Sequence, residues 1–272
     1  MSEKKKTEDG EELAEGSLLS HLVELRSRLL KVSAAVVIVF VALLPFSKRI
    51  FEVVSAPLVK VLPGGQMIAT EVASPLLTPF KLTFFVALFI AMPIVLYQLW
   101  AFVAPGLYKK EKSFAFPLLG TSILLFYAGI AFAYFVVFPL IFGFMTAVAP
   151  DGVEVMTDIS SYLSFITLIV LAFGLAFEVP IATVLIVWTG LTTTDKLTKA
   201  RPYVFLGAFI VGMFLTPPDV ISQTLLAVPV YLLYELGIIM SRFFVRRRDD
   251  ESDADGGEKG KEEERTEPDD SN

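Results

Sequence analysis

The sequence predicts an all-α integral membrane protein that crosses the bilayer six times. Of its 272 residues 54% are hydrophobic and 19% are charged, and its mean hydropathy is +0.66, whereas soluble domains are about 25% charged. The apolar residues gather into six long runs, and Lys and Arg concentrate at one set of run ends. The chain has no Cys, which excludes disulfides, thiolate metal sites and thiol catalysis.

The two ends of the chain differ in composition from the part between them. Residues 1–16 carry six acids and three bases, and residues 249–272 carry twelve acids and three bases. Segments this polar bury too little apolar surface to fold alone. We therefore predict a disordered acidic N-terminal arm at 1–16, a membrane domain at 17–245 and a disordered acidic C-terminal tail at 246–272.

The six apolar runs are predicted spans, and in order they are 29–46, 82–104, 116–138, 162–189, 203–215 and 220–240. Lys31 lies near the end of the first run, where it can snorkel to the interface. The fifth run lies between Pro202 and Pro217 and has 13 residues, about 20 Å of helix against a hydrocarbon core of about 30 Å. The last two runs could therefore form a re-entrant hairpin instead of two spans.

Lys and Arg near the run ends predict the orientation in the membrane. Thirteen lie on the side of the termini and four on the other side, and the side richer in cations faces the cytoplasm. Both termini are then cytoplasmic, and the outer connections are 47–79, 139–161 and 216–219. We find no internal repeat of the kind that many secondary transporters have.

The sequence lacks the usual catalytic patterns. It contains no GxxxxGK[ST] phosphate loop, and its one histidine, His21, precedes the first run. A single histidine cannot supply HExxH or a two-histidine metal site. We therefore predict no enzymatic activity, no cofactor and no metal.

Polar residues inside the apolar runs are candidates for function, because ionisable groups at membrane depth usually mark functional sites. Glu178 lies near the centre of the fourth run, and Pro180 predicts a kink beside it because proline removes a helical hydrogen bond. Glu235 lies in the sixth run, within reach of the cytoplasmic interface. Asp219 can cap the sixth helix, and Gln223 follows it one turn later on the same face.

A second group of charges lies on the cytoplasmic side. Glu24 stands four residues before Arg28, which predicts an intrahelical pair. Glu111 is an isolated acid among lysines in LYKKEK (107–112). An apolar stripe at helical spacing, which predicts a helix lying on the bilayer before the first span, consists of Leu18, Leu22, Leu25 and Leu29.

Several blocks, in order, resemble the TatC family, the polytopic core subunits of the twin-arginine translocase: HLVELRSRLLK (21–31), SAPL (55–58), APGLYKKEK (104–112), FGLAFEVPI (173–181) and LTPPD (215–219). The resemblance covers about residues 17–245. It implies six helices in a concave, cup-like arrangement with a short fifth and sixth helix. It also implies a signal-peptide receptor at the bacterial cytoplasmic membrane, driven by the proton-motive force.

The resemblance also assigns roles to residues. Signal-peptide binding is implied for Glu24, Arg26 and Glu111, and a structural role in the outer loop for Pro57. Intramembrane polar contacts with partner helices are implied or inferred for Glu178, Asp219, Gln223 and Glu235. The implied partners are TatB and TatA in a hetero-oligomer with several TatB–TatC copies, twin-arginine signal peptides of folded precursors, and lipid, but not nucleic acid.

Two other functions stay open at this point. Glu178 could be the proton site of a small-solute transporter, although the missing repeat and the scattered polar groups disfavour it. An intramembrane enzyme would need a nucleophile and base pair that the sequence does not offer.

Overall fold

The computed structural model describes residues 2–61, 67–103, 112–148, 157–215, 220–221 and 223–243. Its residues form two compact units, Met1–Leu171 and Ala172–Asn272. Within the described residues, six helical segments are long and apolar enough to cross a membrane: Leu22–Ala56, Ser74–Phe102, Phe116–Phe144, Ile159–Trp188, Thr194–Leu215 and Gln223–Phe243. The all-α fold class with six spans is therefore confirmed, and the last two runs each give a helix of spanning length.

In the first unit, the helices are α1 (Ser2–Leu43), α2 (Ser47–Val61), α3 (Ser74–Val103), α4 (Lys112–Phe132), α5 (Phe138–Val148) and the start of α6 (Ile159–Ala176). A 3-10 turn that contains Pro45 joins α1 to α2. A π-helical turn, Ala133–Val137, joins α4 to α5. The helix α1 packs along α3, and α2 packs against both α3 and α5.

The core of the first unit lies between α3 and α4, where Met92, Leu96 and Phe126 are buried. Phe89 of α3 contacts the Phe126 ring at a centroid distance of 6.3 Å. The small side chain of Ala91, which is 1% exposed, lets neighbouring helices approach closely. This packing holds the C-terminal part of α3, which includes Gln98 and Ala101, in place.

The N-terminal segment differs from the prediction. The helix α1 begins at Ser2, so residues 2–16 are helical where we expected a disordered arm; Lys and Glu are good helix formers and can extend a helix that is already nucleated. The helix also runs on without a break through the leucine stripe into the span, because 17–44 contains neither Gly nor Pro. The leucine stripe is therefore continuous with the first span, and its contact with the bilayer surface stays a prediction. The domain boundaries after 16 and 245 stay predictions.

In the second unit, α6 ends at Ala176 and is followed by α7 (Val179–Trp188), α8 (Thr194–Leu215) and α9 (Gln223–Phe243). Gly190 lies in the turn after α7 with φ +76°, a conformation that glycine adopts without a steric penalty. Tyr231 of α9 meets Phe205 of α8 edge to face at 5.4 Å. These two helices are therefore packed neighbours.

The fifth span is longer than predicted. The helix α8 has 22 residues and contains Pro202, whereas we expected a helix of 13 residues that starts after this proline. The residues between Thr194, where α8 begins, and Pro202 include good helix formers such as Lys and Ala, so the helix starts before the proline. The fifth and sixth spans, at 22 and 21 residues, are nevertheless shorter than the first four, which have 29 to 35.

Candidate functional site

The side chains at the N-terminal end of the first span form a network around Arg28. Its guanidinium donates from Nε and Nη2 to Oε1 of Glu24, at 3.0 and 2.5 Å. It also donates from Nη1 to Oε1 of Gln98 at 3.3 Å and from Nη2 to the carbonyl oxygen of Ala101 at 2.9 Å. Arg28 therefore joins α1 to the last turns of α3.

This arrangement confirms the predicted Glu24–Arg28 pair and adds a contact that the sequence did not reveal. Ala101 lies two residues before the end of α3, where helix carbonyls lack intrahelical donors and favour a cation. The Arg28 and Glu24 side chains are 20% and 36% exposed, so they are partly shielded from water. No spacing rule links residues 70 positions apart, which is why Gln98 was missed.

The structure describes to different extents the other residues for which the resemblance implied a binding or structural role. Arg26 is exposed, as is Lys31 one turn beyond Arg28. Glu111 lies outside the described residues. Pro57 belongs to α2, and its side chain also falls outside the description.

Glu178 lies at a break in the fourth span. The residues Phe177 and Glu178 form a turn, and Glu178 is the N-cap of α7 with Pro180 in the first helical turn. Its main-chain N–H donates to the carbonyl of Leu175 at 3.1 Å, one residue short of the α-helical spacing. The helix is thus interrupted beside Pro180, where the sequence predicted a kink, and the Glu178 side chain is half-buried there.

Gln223 at the start of α9 binds the neighbouring helix. Its Nε2 donates to the carbonyl oxygen of Phe209 at 2.7 Å. Its stem lies against Gly212, where an added Cβ would stand 3.2 Å from the Gln223 Cγ. The amide therefore holds α8 to α9 at close range. Asp219, which we expected one turn before it, lies outside the described residues.

Glu235 is held further along α9, about 18 Å of helix from Gln223. Oε2 of Glu235 accepts from Arg201 Nη2 at 2.6 Å, and Oε1 accepts from the Tyr231 hydroxyl at 2.9 Å. The sequence did not single out Arg201. Gln223 and Glu235 are thus fixed at separate levels of the α8–α9 pair and do not form one polar cluster.

Asp158, which the sequence did not single out, joins the segment before α3 to the start of α6. Oδ2 of Asp158 accepts from the main-chain N–H of Ser160 and Ser161 at the start of α6, and Oδ1 accepts from Thr70 N–H and Oγ1. Ile68 pairs with Asp158 in a parallel bridge. The Ser161 and then the Thr70 N–H bonds hold the pKa of Asp158 well below its ordinary value. The sequence could have revealed Asp158, because an Asp just before an apolar run is a helix-cap signal. No sequence signal marks its partner Thr70.

The comparisons with known proteins agree with the resemblance found in the sequence. The family model described as Sec-independent protein translocase protein (TatC) matches residues 20–229. The chain belongs to the TatC family. TatC of Escherichia coli K12 is 58% identical over 229 residues, which cover 84% of this chain and 89% of that protein. TatCy of Bacillus subtilis is 34% identical over 240 residues, covering 88% and 94%.

A solved member of the TatC family supports the same fold. The crystal structure of the twin-arginine translocase receptor TatC superimposes with a TM-score of 0.74 at 37% identity, covering 82% of this chain and 98% of that one. Membership of this translocase family, together with six spanning helices, makes the chain a multi-pass protein of the cytoplasmic membrane and a component of protein transport.

Proposed function

We propose that this TatC-family chain is the signal-peptide receptor of a twin-arginine translocase, which moves folded precursors across the membrane with the proton-motive force. The observation that carries the proposal is the Glu24 carboxylate, which accepts two hydrogen bonds from a guanidinium in the first turns of the first span. Family membership favours this function over a small-solute transporter, and the name of the crystallised relative describes such a receptor.

The two arginines of a twin-arginine signal peptide call for two carboxylates in the receptor. A twin-arginine motif presents two guanidiniums, and each forms its strongest pair with a carboxylate that accepts two parallel N–H bonds. Glu24 and Glu111 would supply one carboxylate each, with Arg26 beside the first. The lysines around Glu111 would repel cationic peptides that fit less well, which favours specificity.

Recruitment of single-span partners is the second part of the proposal. TatB would act with this chain in signal recognition, and TatA would join for transport. Gln223 uses one amide hydrogen for Phe209, and an amide has a second hydrogen and an acceptor oxygen. We assign these to a partner helix, together with Asp219, Glu178 and Glu235.

Photo-cross-linking tests the receptor role. A cross-linker at position 24 or 111 should capture a twin-arginine signal peptide and should capture its twin-lysine counterpart much less. Glu24→Gln and Glu111→Gln should each weaken capture while the protein still inserts in the membrane; Glu52→Gln, at an exposed acid of α2, serves as the charge-matched control. Equal capture of both peptides, or unchanged capture in both variants, would contradict the proposal.

A further inference from the structure

We propose that Arg28 is an internal substitute for the ligand: it occupies Glu24 in the free protein, and one arginine of the signal peptide displaces it. The identity of the incoming peptide rests on the proposed function. The occupancy itself rests on the hydrogen bonds between Arg28 and Glu24.

The guanidinium of Arg28 has three acceptors from two helices. They are Oε1 of Glu24, Oε1 of Gln98 and the carbonyl oxygen of Ala101. Any arginine side chain presents the same planar fork of five donors. An incoming arginine can therefore replace Arg28 bond for bond at these acceptors, provided that Arg28 moves aside.

The charge balance favours exchange over simple addition. Glu24 and Arg28 are a neutral pair, and such a pair offers a second cation little net attraction. A second guanidinium on Oε2 of Glu24 would also lie within a few ångströms of the Arg28 charge and be repelled by it. When Arg28 leaves, the full carboxylate charge becomes available to the ligand.

The position of Arg28 makes this exchange feasible. Its side chain is 20% exposed and that of Glu24 is 36% exposed, so the rest of the protein closes off neither of them. The neighbouring residues Arg26, Ser27 and Leu29 are exposed, and the long flexible stem of Arg28 can swing into that open space.

Displacement gives a physical reason for selecting arginine over lysine. An ammonium group is a compact charge and does not reproduce the planar fork. A lysine that displaced Arg28 would lose the paired Nε and Nη2 bonds that Arg28 makes to Oε1 of Glu24. Discrimination against lysine should therefore depend on the presence of Arg28, and not only on the acids that bind the ligand.

Binding of labelled twin-arginine and twin-lysine signal peptides to the full chain in nanodiscs tests this inference. If Arg28 fills the site about 90% of the time, Arg28→Leu should tighten twin-arginine binding about tenfold, because only the open fraction binds. The same variant should reduce the preference over the twin-lysine peptide. Lys31→Leu removes an equal charge from the same helix one turn away and should change affinity less than about twofold, since surface charges act weakly through water.

A second measurement separates displacement from a structural role. The Nε–H signal of Arg28 in ¹⁵N-arginine spectra, assigned by its loss in Arg28→Lys, should shift when the twin-arginine peptide is added and stay in place with the twin-lysine peptide. Weaker or unchanged binding in Arg28→Leu, or an Arg28 signal that ignores the ligand, would overturn the inference. Unchanged binding in Glu24→Gln would instead overturn the assignment of the receptor site.

Discussion

Gly237 of α9 lies so close to Thr183 of α7 that a Cβ added at Gly237 would stand 2.1 Å from the Thr183 Oγ1 and 2.9 Å from the Cα of Pro180. Thr183 is held in place because its hydroxyl donates to the carbonyl oxygen of Pro180 at 2.8 Å. Small residues permit this close approach of helix backbones in membranes. The contact is made just beyond the break at Glu178, so it fixes the helix that begins there.

Gly237→Ala should therefore destabilise the protein. The backbone of Pro180 cannot move aside cheaply, and overpacking of this kind costs about 1–3 kcal/mol. Gly207→Ala is the matched control, because a Cβ at Gly207 meets nothing within 4 Å and alanine should be neutral or slightly stabilising there. Reversible denaturation in mixed detergent micelles measures both. Equal stability of the two variants would show that α7 and α9 are not packed as described.

Gln223→Leu should separate the internal role of this amide from partner binding. Loss of the bond to Phe209 should reduce stability by about 0.6–2 kcal/mol, as for interhelical hydrogen bonds in membranes. Signal-peptide binding should be unchanged, and co-purification of the single-span partners should fall. Thr224→Val is the control, because among the contacts described that hydroxyl donates only to the carbonyl oxygen of Val220, four residues earlier in the chain, and not to a neighbouring helix. Full partner recovery with Gln223→Leu would remove Gln223 from the proposed contact surface.

The Arg201–Glu235 pair should be detectable in a double-mutant cycle. Arg201→Met leaves the Glu235 carboxylate, 22% exposed, without its cation. We expect a loss of about 1–2 kcal/mol, below the value for fully buried pairs because the protein covers neither side chain completely. The double variant with Glu235→Gln should lose less than the sum of the single variants. Strict additivity would mean that the two charges are not coupled.

The Asp158 contacts should make stability depend on acid pH. The pKa of this carboxyl is lowered in the folded protein from an ordinary 3.8, so the folded state favours the ionised form. The contribution is then fully present above pH 3.8 and is lost as pH falls below it. Denaturation between about pH 2 and pH 6 should show a steeper acid loss in the natural protein than in Asp158→Asn. Identical pH profiles would contradict the role of these hydrogen bonds.

The sequence predicted the membrane-spanning helices well, because a helix that crosses the hydrocarbon core needs a long run of apolar residues. Six runs gave six spans, and Pro180 predicted the break beside Glu178. The errors came at positions where helix propagation outweighed a local signal. Pro202 lies inside α8 instead of ahead of it, and the helix α1 extends back to Ser2.

The sequence alone determined which segments lie in lipid and which in water. It also indicated the family and the residue types that could bind a guanidinium. Only the tertiary structure decided which groups satisfy one another: Arg28 with Gln98 and Ala101, Glu235 with Arg201, and Asp158 with Thr70. Hydropathy and helical spacing report on the environment of a residue and on neighbours three or four positions away. Hydrogen bonds between residues 34 to 88 positions apart depend on which helix faces pack together, and no local pattern specifies that.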